Sequence, residues 1–314
     1  MSESYNERAL DLVLVGAISK DENIYTDRNE RSIGGAVTYG AFSAKRSGCK
    51  VGVITKLAEE DYPLLDQFYD DQIPVWVLPS KSTTAIRNVY HSSDKECRTC
   101  TCLVATDAIC PENLPNISTK IIHAAALIKG EIPLQTLEAM TRIAKVGLDI
   151  QGFLRVSRNT KMVYQKSDEI AQALKLVTYL KADATEAEIL TAKTDLAVAA
   201  LEMAAMGPQE VVISHNHELV LAHAERIYRT PLTPHKTDGR TGRGDTLFCS
   251  YLARRTQGDE PFNALQFAAA LVSLKLETPG PFRGSMADVR MKMKAQASGT
   301  ICHKTVRSKK TNTN

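Results

Sequence analysis

The sequence predicts an α/β chain: a mainly parallel central sheet covered on both faces by helices, with a small β lid inserted early. Three observations carry this. Short apolar, β-branched runs alternate with longer stretches of helical period along most of the chain. The segment from Thr83 to Thr106 breaks that rhythm with two β-prone pieces around a turn. The 314 residues are 43% hydrophobic and 24% charged, the balance of a soluble globular chain able to bury a sizeable core. Global disorder, a fibrous repeat and a disulfide-dense mini-domain are thereby excluded.

The elements follow in order. Asp11 to Gly16 reads as the first strand, and Ala36 to Ser47 as a helix stopped by Gly48. Further strands are expected at Val51 to Thr55, Pro74 to Leu78, Ile121 to Leu127, Val146 to Ile150, Val177 to Leu180 and Val211 to Ser214, most of them separated by helical stretches. The interruption comprises Thr84 to Tyr90 and Arg98 to Val104 around a polar Ser92 to Lys95 turn, which reads as a hairpin. A hairpin at that point cannot easily join a parallel sheet, so it is expected to project as a lid over the carboxyl edge of the strands, where such sheets bind ligands.

Charge is close to balanced, at +3. Too small and scattered for a nucleic-acid footprint, it leaves one basic cluster, His303 to Lys310, in a tail from 301 to 314 expected to be disordered. No membrane span and no signal-like apolar segment are visible, and seven cysteines without framework spacing suit the reduced thiols of a cytoplasm. Cys97, Cys100 and Cys102 alternate along a lid strand and read as small strand residues, because no second CxxC or histidine pair accompanies them.

The chemistry is concentrated in Thr241-Gly242-Arg243-Gly244-Asp245, where a glycine-rich loop turns into a helix. Glycines permit close approach, and the first amides of a helix favour an anion in front of them. A carboxylate beside such a hole suits phosphoryl transfer, in which a base accepts the proton of the attacking hydroxyl while donors hold the phosphoryl oxygens. Taken alone, the segment reads equally well as an ordinary loop with Asp245 placed to complement the helix dipole.

Gly34-Gly35 open the first long helix, and Asp21 follows Gly16 by five residues. Together with the late T-G-x-G-D loop, these resemble the ribokinase-like (pfkB) carbohydrate kinases, from about Asp11 to about Gly284. The resemblance implies a ribokinase-like three-layer sandwich over residues 1–300, with the lid around 83–106, using ATP and Mg²⁺. It implies that Asp21 and the backbone of Gly34 and Gly35 hold acceptor hydroxyls, that the Gly242, Arg243 and Gly244 amides form the anion hole, and that Asp245 is the base. Lys181-Ala-Asp183-Ala-Thr-Glu186 stands where the family has N-x-x-E, so Glu186 is expected to orient water around Mg²⁺. Asp183, Ser214 and Thr241 are expected beside it on the nucleotide side.

Gly35 to Tyr39, Asp149 to Arg155 and Leu180 to Leu190 look most like the inositol kinase-like branch. There Tyr39 would offer an aromatic wall to a ring of carbons, and Gln151 and Arg155 would line the acceptor cleft. Tyr39 reads alternatively as a packed helix residue. The chain departs from the family at four points, the first being Asp183, which replaces the usual asparagine and so keeps an acceptor but loses a donor. Gly239 replaces an aspartate of the family's monovalent-cation site, which argues against potassium activation. Arg243 replaces an alanine, either clamping phosphate or pointing to solvent. Ser214 to Glu218 lacks the glycine that shapes the nucleotide pocket. The expected activity is phosphorylation of a sugar or cyclitol such as myo-inositol. A nucleoside kinase of the same family and a non-catalytic sugar or nucleotide sensor are the rivals. The expected partners are small molecules, with neither nucleic acid nor membrane, and a second copy of the chain paired through the lid.

Overall fold

A computed structural model describes residues 9–91 and 98–296 and the backbone of 301–304. The chain begins with β1 (Leu10–Val15), β2 (Ser19–Ile24), β3 (Asn29–Gly34) and α1 (Ala36–Arg46), then β4 (Val51–Leu57), α2 (Asp66–Asp70) and β5 (Val75–Pro79). It continues through β6 (Thr84–Tyr90), β7 (Arg98–Val104), β8 (Thr119–Ala124), α3 (Leu134–Thr141), β9 (Lys145–Asp149), α4 (Gln151–Leu154), β10 (Arg155–Arg158) and β11 (Lys161–Tyr164). Next come α5 (Glu169–Leu176), β12 (Tyr179–Asp183), α6 (Ala184–Thr191), α7 (Leu196–Ala205), β13 (Glu210–Ser214), β14 (Glu218–His223) and β15 (Arg226–Pro231). The chain closes with α8 (Arg243–Thr256), α9 (Pro261–Lys275), α10 (Met286–Gln296) and β16 (Ile301–Lys304).

The strands form two sheets. The ten-stranded sheet has the order β16-β15-β14-β13-β12-β9-β8-β1-β4-β5 and is parallel from β13 to β5, with an antiparallel edge beyond β13. Strand alternation divides its side chains. Leu12 and Leu14 join one core layer with residues of α1, α8 and α9, while Val13 and Val15 join the other with residues of α3, α5 and α7. Three layers result, as expected of the ribokinase-like sandwich.

Two expectations change. The lid is not a lone hairpin: β6 and β7 are the middle of a six-stranded sheet of order β10-β11-β7-β6-β2-β3. Two β-hairpins, β2–β3 and β10–β11, flank the expected one, and β2 runs parallel to β6. An isolated two-stranded flap is marginal in water, and the four added strands supply the pairing it lacks. The tail also begins later than expected, because Ile301–Lys304 pair antiparallel with β15. Residues 305–314, like Cys97 and the Ser92 to Lys95 turn, lie outside the described residues. Among the described residues no helix is long and apolar enough to cross a membrane.

The two sheets meet at Gly16-Ala17-Ile18, where β1 leaves the central sheet and β2 enters the lid. Buried Glu131 clamps this corner: Oε1 accepts the Ala17 amide at 2.6 Å, and Oε2 accepts the Leu127 amide at 2.8 Å. Burial pushes the Glu131 carboxyl up to about 7 despite these bonds.

Deeper in the sheet, His123 of β8 is fully enclosed. Its Nδ1 lies 3.1 Å from the Gly147 carbonyl, so that nitrogen carries the proton, and its ring meets Phe248 edge-on with centroids 4.9 Å apart. Burial drives the His123 pKa down to about 4 from an ordinary 6.5. With the folded value below the unfolded one, its contribution to stability is complete above 6.5 and is lost as pH falls toward 4. Between pH 7 and pH 5 this group takes roughly 1–2 kcal/mol from the stability read by urea unfolding, against the opposite contribution of the raised Glu131 carboxyl. His123→Asn should remove this loss, so that the variant gains stability relative to wild type as pH falls from 7 to 5; the same slope in both proteins would exclude His123 as a source of pH dependence.

Candidate active site

A cavity of about 490 Å³ opens between the carboxyl ends of the parallel strands and the inner face of the lid sheet. From below, it is lined by the start of α8, where Gly242 is the N-cap residue at φ +78° and Asp245 stands in the first turn. Only glycine serves at 242: φ is left-handed, and a Cβ would collide with the Tyr39 ring. Tyr39 is therefore both a support under the loop and part of the cavity wall. Asp245 sits among cations. Burial raises its pKa, while Lys181, Arg155 and Lys275 pull in the opposite direction.

Lys181, near the end of β12, holds the floor together. It pairs in register with Asp149 on β9, and its Nζ lies 2.9 Å from Asp149 Oδ2 and 3.7 Å from Glu186 Oε2. It also lies directly behind Gly244, whose added Cβ would stand 3.1 Å from Lys181 Nζ. Burial disfavours the ammonium, but Asp149, Glu186 and the nearby Asp183 and Asp245 outweigh it and hold its pKa above the ordinary value. Asp183 and Glu186 form a capping box on α6: Asp183 Oδ1 accepts the Glu186 amide at 2.8 Å, and Glu186 Oε2 accepts the Asp183 amide at 2.7 Å. The remaining oxygen of Glu186, Oε1, is buried without a hydrogen-bond partner.

From above, the lid contributes Asp21, Asn88, Tyr90, Arg98, Cys100, Met162 and Tyr164. Asp21 is buried on β2; Ser19 donates its hydroxyl to Oδ1 at 2.6 Å, and burial raises its pKa. Gly34 backs directly onto the Asp21 carboxylate, and Gly35 caps α1. The lid touches the floor where the Tyr90 hydroxyl meets Thr241 Oγ1 at 3.3 Å.

The cavity thus brings together Asp21, Gly35, Tyr39, Gln151, Arg155, Asp183, Ser214, Thr241, Gly242, Arg243, Gly244 and Asp245. Gly34 and Glu186 stand one layer behind it. Arg243 does not point freely to solvent: its Nη1 donates to Asn216 Oδ1 at 2.7 Å, where Arg240 Nη2 also donates at 3.0 Å. Sequence reasoning missed Asn88, Tyr90, Arg98, Lys181, Asn216 and Arg240. For the lid residues a signal existed, since β6 buries alternate positions and a polar Asn88 stands in the buried phase.

A family model, that of the pfkB family carbohydrate kinases, matches residues 4–286. Among curated proteins, a cytidine kinase of Thermococcus kodakarensis is 26% identical over 263 residues, 79% of this chain and 90% of the relative. Among solved structures, a pyrophosphate-dependent kinase in the ribokinase family, complexed with a pyrophosphate analog and myo-inositol, superimposes with a TM-score of 0.82. It is 29% identical and covers 90% of this chain and 99% of its own. Arabidopsis thaliana ribokinase complexed with ribose and ATP shares the fold, with a TM-score of 0.72 at 18% identity over 91% of this chain and 99% of its own.

The Lys181 cluster predicts an asymmetric mutational response. Lys181→Met strands Asp149 in the interior and should cost about 3–5 kcal/mol in chemical unfolding. The double variant Lys181→Met, Asp149→Asn should regain part of that loss, because neither charge remains. Additive single losses would show that the pair is not coupled.

Proposed function

The chain belongs to the pfkB family of carbohydrate kinases, and from that membership we propose that it phosphorylates a hydroxyl of a small polyhydroxylated ring, a cyclitol such as myo-inositol or a sugar. One observation carries this reading: a cavity that presents Asp245 and the Gly242–Gly244 loop on its floor and Asp21 with Ser19 on its lid. The floor suits a phosphoryl group, and the lid suits hydroxyls.

Asp245 takes the proton of the attacking hydroxyl as its oxygen bonds to phosphorus and the bond to the leaving phosphate breaks. Burial makes this carboxylate more basic, while Lys181, Arg155 and Lys275 favour its ionised form. The Arg243 amide already donates to the Arg240 carbonyl at 3.2 Å, so the loop offers its Gly242 and Gly244 amides to the phosphoryl oxygens, with Lys181 behind them. Asp21, fixed by Ser19, accepts from acceptor hydroxyls, and Asn88 and Arg98 lie on the same wall. Glu186 fits a role toward Mg²⁺ through water, since its buried Oε1 lacks a partner. When bound, Mg²⁺ would draw negative charge from the donor phosphates.

ATP is the donor that the wider family supports. Pyrophosphate is a second reading, favoured by Arg240 and Arg243, which converge on Asn216 beside the end of β13. Two guanidinium groups match a compact polyanion, and a kinase similar to this chain over nearly its whole length is described as pyrophosphate-dependent.

Purified protein should phosphorylate myo-inositol or a related cyclitol or sugar with Mg-ATP or Mg-pyrophosphate. Adenosine or cytidine outrunning every cyclitol and sugar tenfold would overturn the acceptor assignment. Asp245→Asn should keep the fold and lower turnover about 10²-fold or more. Asp21→Ala should lose on the order of 2–4 kcal/mol in kcat/KM through the acceptor KM, with the donor KM unmoved.

A further inference from the structure

Lys275, the last residue of α9, is completely buried, yet the capping box and the Lys181 cluster make no use of it. Its Nζ donates to two backbone carbonyls of the segment that leads into α8, those of Gly239 and Thr241. The same segment is stitched to the end of α9 by the Gly239 amide, which donates to the Leu276 carbonyl at 2.8 Å. Gly239 passes so close to the Thr278 carbonyl that a Cβ would collide with it. The Tyr39 ring, on which Gly242 rests, lies 5.4 Å from the ammonium.

A buried ammonium held by carbonyls is a cation whose charge is only partly compensated. Accordingly, burial lowers the Lys275 pKa to about 8, with Asp245 the opposing influence. Carbonyls that turn inward to a cation present their neighbouring amides outward, which is the orientation an anion-binding loop needs.

Building on the kinase reading, we infer that Lys275 is a positioning residue, a built-in cation that locks the carbonyls of Gly239 and Thr241 inward and thereby aims the Gly242 amide, the other end of the Thr241 peptide, at the donor phosphate at the start of α8. Its charge does by covalent attachment what a bound monovalent cation would do by diffusion. The wild-type enzyme consequently needs no such cation, and a variant without the ammonium acquires the need.

Three measurements test this. Inorganic pyrophosphate and Mg-ATP are titrated against the protein calorimetrically, and turnover is followed in tetramethylammonium and in potassium buffers. Wild type should turn over equally in both. Lys275→Met, similar in length but neutral, should bind the donor at least ~10²-fold more weakly with the acceptor KM unmoved, a loss on the scale of one missing oxyanion donor. Lys275→Ala, which opens space at the carbonyls, should recover tenfold or more in turnover on addition of ammonium, methylammonium or potassium. Folded variants that bind donor as wild type does, or a folded Lys275→Ala that no cation rescues, would overturn the inference. Should both variants fail to fold, a wild type stimulated more than twofold by potassium would overturn it equally. A wild type that binds neither pyrophosphate nor Mg-ATP, by contrast, sinks the kinase reading itself.

Discussion

The site depends on a positive charge buried at the carboxyl edge of the sheet. Lys181 projects from β12 into a space where Asp149 of the adjacent strand, Glu186 of the following helix and the backbone of Gly244 all approach it. Each carboxylate would be expensive to bury alone, and so would the ammonium. Brought together, they fix the relative height of β9, β12, α6 and α8, because any slip in the register between Lys181 and Asp149 would leave an unpaired charge in the interior. The glycine loop before α8 thus takes part of its position from an ion pair, and the capping box on α6 belongs to the same network.

Much of the fold is legible in the amino-acid sequence. The parallel strands appear as β-branched apolar runs because both their faces are buried, and the α8 loop is visible because its glycines and carboxylate occur together with Gly34-Gly35 and Asp21. The lid is legible only in part. Its middle hairpin alternates, but β2 reads Ser-Lys-Asp-Glu-Asn-Ile and β3 is almost wholly exposed, so neither carries an apolar signal. β2 exists because it pairs with β6, distant in the chain, and β3 because it pairs with β2.

Lys181 is hidden for a different reason. Lys-Ala-Asp-Ala-Thr-Glu satisfies every local rule for a helix start, and the structure does use it as a capping box. Local rules do not reveal that the lysine two residues before the cap points at a carboxylate 32 positions earlier. Lys275 is a similar case: at the C-terminus of a helix a lysine normally reports only a favourable dipole, and its burial against the two loop carbonyls follows from the way α9 packs.

The corner at Gly16-Ala17-Ile18 has a consequence for selectivity between substrate and solvent. Asp21 lies four residues beyond Ala17 and belongs to the lid, whereas Asp245 belongs to the floor. On the proposed reading, acceptor recognition and proton removal would reside on separate sheets joined at the corner that Glu131 clamps, and any parting of the sheets would divide the reaction between them. A donor held on the floor alone would then face bulk water without the groups that orient an attacking hydroxyl. For a kinase built in this way, the division of labour between two sheets would itself guard against spilling phosphate to solvent.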